Sequence, residues 1–219
     1  MADRPSISLT VLDNGPYKLS PGSEGDALRF RYAGEALEVE PGEDVYLCRC
    51  GRTGNAPFCD GSHERTGFVA EAPDANAKEI RVWEGRRLRT FFNPNACMHV
   101  FYCKPLKELR ERELAGDDAA GVEIAKVVMS CPSGALTFEE KQGAQEDPAV
   151  PTAEAAKPAY DADVDIVEGA EIRIQCDLEI GFDRHERQPG DRATFCRCGL
   201  SKNKPWCDGR HRKRDDGFR

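Results

Sequence analysis

The chain has 219 residues, 39% of them hydrophobic and 32% charged, with a net charge of −8, a balance that suits one or two soluble domains with small cores. No apolar run approaches the roughly 18 residues needed to span a membrane, and the start, MADRPSISLTVLD, has no basic stretch leading into an apolar one, so neither an anchor nor a secretory leader is expected. The acidic charge, with no basic domain, argues against nucleic acid as a partner. A cytoplasmic, reducing setting is the expectation, and the ten cysteines then read as metal ligands rather than disulfides. Nine of them fall into three compact groups, and Cys176 stands apart.

In chain order, Ile7, Leu9 and Val11 alternate, as do Leu28, Phe30 and Tyr32, then Leu37 and Val39. Period two predicts half-buried strands, with turns at Asn14-Gly15-Pro16 and Pro41-Gly42. Residues 80–92, IRVWEGRRLRTFF, predict a hairpin turning at Glu84-Gly85. Residues 105–115 predict a helix with Pro105 at its start. A second helix is predicted over 117–130, with Val122, Ala125 and Met129 on one face, and ALTF at 135–138 predicts a closing strand. Residues 141–163 are rich in Ala, Pro and acids and read as a linker. Ile172, Ile174, Cys176, Leu178 and Ile180 predict one face of a single strand. Among those aliphatics Cys176 reads as a core residue.

An internal repeat organises the whole. Residues 41–63, PGEDVYLCRCGRTGNAPFCDGSH, align without a gap on residues 189–211, PGDRATFCRCGLSKNKPWCDGRH. Cys48, Cys50, Cys59 and His63 fall on Cys196, Cys198, Cys207 and His211. Arg49, Gly51, Asn55, Pro57, Asp60 and Gly61 also have identical counterparts, so one backbone path is expected twice. Three thiolates and an imidazole can hold a structural zinc ion or an iron–sulfur cluster. The Cys-x-Cys pair sits on one extended loop, suited to one iron. Cys59 and His63 share a face if a helix begins there. Asp60 is typed to cap that helix, and Gly61 permits close backbone approach. Arg49 and Arg197, between the paired thiolates, read either as offsets to cluster charge or as plain surface residues.

The string C-R-C-G-x-[TS]-x3-P-[FW]-C-D-G-x-H resembles the CDGSH (NEET-type) iron–sulfur family in both copies, except that Arg210 replaces a usually small residue. The resemblance implies two [2Fe–2S] clusters. Cys48 and Cys50 would hold the inner iron of the first, Cys59 and His63 the outer; Cys196, Cys198, Cys207 and His211 would repeat this. It also implies intertwined pairing of two motifs, and tandem copies joined by a long linker are expected to pair within one chain as an internal pseudo-dimer of a monomer.

Cys97, Cys103 and Cys131-Pro132 form a different group, and C-M-H-V-F-Y-C with C-P-S-G-A-L resembles the divergent single-cluster ferredoxins. Where a fourth cysteine is common in that family, Val100 stands and cannot ligate iron. The resemblance therefore implies a [3Fe–4S] cluster on Cys97, Cys103 and Cys131, or a [4Fe–4S] cluster completed by another group. His99 is the nearest candidate for that group or for an outer hydrogen-bond donor; Cys176 is a nominal one.

The expected architecture is α+β: a first cluster domain over 1–72, a ferredoxin-like domain over 73–140, the 141–163 linker, and a second cluster domain over 164–219. No dinucleotide loop, substrate pocket or nucleophile–base pair is recognisable, so an enzyme is not expected. The leading expectation is an electron carrier serving a redox partner. The alternatives are cluster storage, transfer to an apo-iron–sulfur acceptor, or redox or iron sensing, and a zinc-bearing interaction module.

Overall fold

A computed structural model describes residues 6–22, 28–70, 78–141, 162–180 and 192–213. The chain is α+β and divides into two compact units, one built from both ends of the sequence and one from the segment beginning at Lys78.

In the first unit, β1 (Ser6–Val11) turns through Asn14-Gly15 into β2 (Tyr17–Pro21), followed by β3 (Phe30–Tyr32), β4 (Glu35–Leu37), β5 (Val45–Leu47) and the short α1 (Ser62–Arg65). The second unit comprises β6 (Arg81–Glu84), β7 (Leu88–Phe92), α2 (Leu106–Leu114), α3 (Asp118–Met129) and β8 (Leu136–Glu140). The chain then returns to the first unit as β9 (Val164–Ile166), β10 (Glu171–Ile174), β11 (Asp177–Ile180) and β12 (Ala193–Cys196).

The first unit holds two sheets, ordered β11-β1-β2-β5 and β12-β10-β9-β3-β4. The antiparallel trio β1-β2-β5 of the first copy corresponds to β9-β10-β12 of the second. Their hairpins close on the same bonds: Leu12 N–H to Pro16 O and Gly15 N–H to Leu12 O in one, Val167 N–H to Glu171 O and Ala170 N–H to Val167 O in the other. Each trio then takes a strand from the other copy. β11 adds in parallel to β1, and β3 adds in parallel to β9. Charge pairs pin the second exchange: Arg29 to Asp163 at 3.1 Å and Arg31 to Asp165 at 2.9 Å.

This exchange corrects one sequence expectation. The segment 172–180 is two strands, not one, and the break at Gln175-Cys176 sends β10 and β11 into different sheets. The alternation survives because both halves still face one core. That core draws on both copies, with Ile7, Leu9, Tyr17 and Leu47 packed with Val164, Ile172, Phe195 and Trp206. Cys176 is buried in it. Val39, expected in a strand, follows β4 and packs on the core's edge. Residues 142–161 of the expected linker lie outside the described residues. Ala162 and Asp163, at its end, are buried in the first unit.

The second unit is the antiparallel sheet β6-β7-β8, with α3 packed on β8 and on α2. Pro105 caps α2, where its missing N–H costs nothing. Asp117 caps α3, its side chain accepting the Ala120 N–H. The buried face of α3 centres on Ile124, Ala125, Val128 and Met129; Val122 sits at its margin.

Candidate metal centres

Each repeated motif begins where a strand runs out. β5 ends at Leu47 and β12 at Cys196, and each chain then turns through Cys-Arg-Cys-Gly with a positive φ at the glycine, 72° at Gly51 and 76° at Gly199. Only glycine takes that turn without strain. The returning segment is tied back to the strand: Cys48 N–H donates to Pro57 O and Cys59 N–H to Tyr46 O, as Cys196 N–H does to Pro205 O and Cys207 N–H to Thr194 O. The hydroxyls of Thr53 and Ser201 brace the loops by donating to Phe58 O and Trp206 O. Both prolines, Pro57 and Pro205, follow cis peptide bonds.

The structure brings the expected ligands together in both copies. Cys48 Sγ lies 3.7 Å from Cys50 Sγ, and Cys59 Sγ lies 3.4 Å from His63 Nδ1. In the second copy the distances are 3.8 Å between Cys196 and Cys198 and 3.5 Å between Cys207 Sγ and His211 Nδ1. Asp60 does not cap α1; Gly61 holds that position. Asp60 instead accepts from Gly54 N–H and Ser62 N–H and closes the loop on itself, which holds its carboxyl below the usual range. Asp208 accepts the equivalent bonds from Lys202 and Arg210.

The two sites differ in depth. Cys48, Cys50, Cys196, Cys198 and Cys207 are buried, while Cys59 is half-buried. Burial opposes the thiolate, pushing Cys207 up to about 12 and raising Cys59. In the first pair, the hydrogen bond from Cys50 draws Cys48 down to about 5, and Cys50 is pushed up. Cys196 is raised chiefly by its hydrogen bond with Cys198. Bound iron would supply the positive charge that lets these buried sulfurs ionise. Three thiols and an imidazole in two close pairs, with burial opposing the thiolate at Cys59 and Cys207 in the absence of a cation, therefore fit a metal group.

The interleaved arginines are not surface residues. Arg49 and Arg197 are 3% and 0% exposed. Arg49 donates to Gly15 O and Leu12 O and lies over the rings of Tyr17 and Phe68, so it clamps its own hairpin to the loop. Arg197 lies over the ring of Tyr32, on the exchanged strand β3.

One neighbour of the second site is invisible in the motif. Glu171 belongs to β10, is 2% exposed, and places Oε2 3.2 Å from His211 Nε2. Its donor atom joins those of Cys207 and His211 within 4.8 Å. Burial lowers His211 below the ordinary imidazole value, with the Glu171 carboxylate opposing that shift. Only the pairing of β10 with β12, Glu171 opposite Cys196, puts it there.

In the second unit, Cys97, Cys103 and Cys131 line one apolar cavity with Phe92, Met98 and Leu136. His99 Nδ1 lies 3.7 Å from Cys97 Sγ, and its ring is exposed; Val100 is 40% exposed. Among the described residues, no helix is long and apolar enough to cross a membrane.

The family model described as an iron-binding zinc finger of CDGSH type matches residues 14–64 and 166–212. The two matched stretches contain all eight expected ligand residues of the repeated motif, and a domain of this type indicates iron–sulfur binding of the [2Fe–2S] kind. No curated protein matches the chain.

Proposed function

Because the chain carries two CDGSH-type iron-binding units, we propose that it is an electron-transfer protein. Cys48, Cys50, Cys59 and His63 hold one [2Fe–2S] cluster, and Cys196, Cys198, Cys207 and His211 hold another. Cys97, Cys103 and Cys131 hold a [3Fe–4S] cluster, or a [4Fe–4S] cluster completed by another group. Each such cluster supplies a one-electron couple. The observation that carries the reading is the contact between the two motif loops. A Cβ added at Gly199 would fall 2.6 Å from the Cys50 carbonyl oxygen, so the loops meet backbone to backbone. Sites packed this way suit exchange of electrons without release of metal. The middle cysteines support the same reading, because they converge on a cavity with apolar walls.

A second reading is cluster storage or delivery to an apo-protein. The half-buried Cys59–His63 end of the first site favours it. Anaerobic purification with iron, sulfide and zinc analysis, and EPR before and after reduction, tests the centres. Iron and sulfide together are expected, and zinc without sulfide overturns the proposal. Mixing the reduced protein with an apo-ferredoxin and separating the two then divides the readings. Electrons moved to a redox partner without iron support the carrier; iron moved to the apo-ferredoxin supports delivery.

A further inference from the structure

The two repeated sites share every ligand, yet their histidines face different neighbours. The strand register makes the comparison residue by residue. Leu47 and Phe195 are equivalent in the repeat; Leu47 pairs with Tyr17, and Phe195 pairs with Ile172. One step back along the hairpin, Pro16 therefore stands in the first copy where Glu171 stands in the second. The hairpin bonds agree, since Pro16 O and Glu171 O accept the same turn N–H. Both positions are buried. His63 Nε2 has the Gly15-Pro16 turn beside it, 3.9 Å from where a Gly15 Cβ would lie, and among the described residues the carboxylate within ion-pair reach of it is the exposed Glu64 at 3.9 Å. His211 Nε2 has the buried Glu171 carboxylate at 3.2 Å.

Glu171 is itself held in place. Its Oε1 accepts from Arg173 at 2.8 and 3.1 Å, which leaves Oε2 directed at the ring. Arg173 also lies 3.7 Å from Asp165, and Asp165 pairs with Arg31 on the exchanged strand β3. A line of alternating charges thus runs from a strand of the first copy to the histidine of the second.

We infer that Glu171 is a positioning residue for the second cluster: its carboxylate accepts the Nε2–H of His211 and holds Nδ1 toward the outer iron, so the second cluster is retained longer than the first. This rests on the cluster reading above. A ligating histidine whose remote nitrogen donates to a carboxylate is fixed in tautomer and orientation and is the stronger ligand; removing such a partner typically costs about 10–100-fold in metal affinity. In the first copy Pro16 supplies no acceptor side chain, so the first cluster is the one released earlier.

The test uses the full, cluster-loaded chain and an iron chelator at constant neutral pH, following the visible absorption. Loss of the two [2Fe–2S] clusters is expected in two phases of equal amplitude. His63→Cys and His211→Cys each alter the spectrum of one cluster and so assign the phases. Glu171→Ala should accelerate the slow phase roughly tenfold or more and leave the fast phase as it was. Glu171→Gln, whose amide oxygen still accepts the Nε2–H, should fall between. Pulsed EPR of the reduced protein should show the coupling of the remote His211 nitrogen changed in both variants and that of His63 unchanged. If the slow phase and the coupling do not move, or both phases accelerate together because the unit has loosened, the inference fails while the cluster reading stands. If the protein contains no sulfide, the cluster reading itself has failed. Should Glu171→Ala not fold, the coupling in Glu171→Gln decides.

Discussion

A ligating imidazole must be neutral, so protons compete with iron for His63 and His211. Mild acid should therefore release the outer iron, and the stability that bound clusters lend is lost as the pH falls. His63→Cys and His211→Cys should each slow bleaching of one cluster in mild acid; unchanged rates in both would contradict histidine ligation. A second residue-scale prediction concerns the contact of the loops. Gly199→Ala forces φ of 76° on a residue with a side chain and sets its Cβ 2.6 Å from Cys50 O. Gly34→Ala meets the same backbone penalty, at φ 87°, with nothing within 4 Å. Chemical denaturation should show a loss of about 1–3 kcal/mol for Gly34→Ala and a clearly larger one for Gly199→Ala. The candidate ligand residues were legible in the sequence because spacing on a short loop survives folding. Glu171 was not, because its place depends on a neighbouring strand.

At the scale of elements, the second unit shows what local pattern can and cannot tell. The 80–92 hairpin, both helices and the closing strand stand where periodicity and Pro105 put them. The turn between β6 and β7 is held by a residue that no local pattern singles out. Glu113 on α2 is 1% exposed and accepts the Arg86 N–H at 2.9 Å and the Arg87 N–H at 2.6 Å. Glu113→Ala removes the acceptor that both N–H groups share, a loss of roughly 1–3 kcal/mol for a buried donor. Glu113→Gln keeps an acceptor and should lose less; equal denaturation midpoints for the two variants would show that the acceptor does not matter. The 172–180 segment shows the converse. Its alternation is continuous, but the chain divides between two sheets at Gln175-Cys176.

At the scale of the whole molecule, the exchange of β3 and β11 makes each copy incomplete without the other. In a chain ending at residue 70, β1 lacks its parallel neighbour β11, and β3 lacks the β9 edge that receives it. Unpaired edges seek partners, so two such chains should exchange β3 and form a homodimer with two clusters, measurable by light scattering. A stable monomer would show that the exchange is dispensable. The sequence by itself determined the repeat, the candidate ligands that the two motif loops bring together and the order of most elements, because these depend on residue type and short spacing. Tertiary structure alone decided which copy supplies each sheet's parallel strand, that the loops of Cys50 and Gly199 touch, and that one histidine meets Glu171 where the other lies beside the turn at Gly15. The first two choices rest on pairings between segments more than a hundred residues apart and the third on the strand each hairpin lies against, and period-two alternation records which face of a strand is buried, not which strand lies beside it.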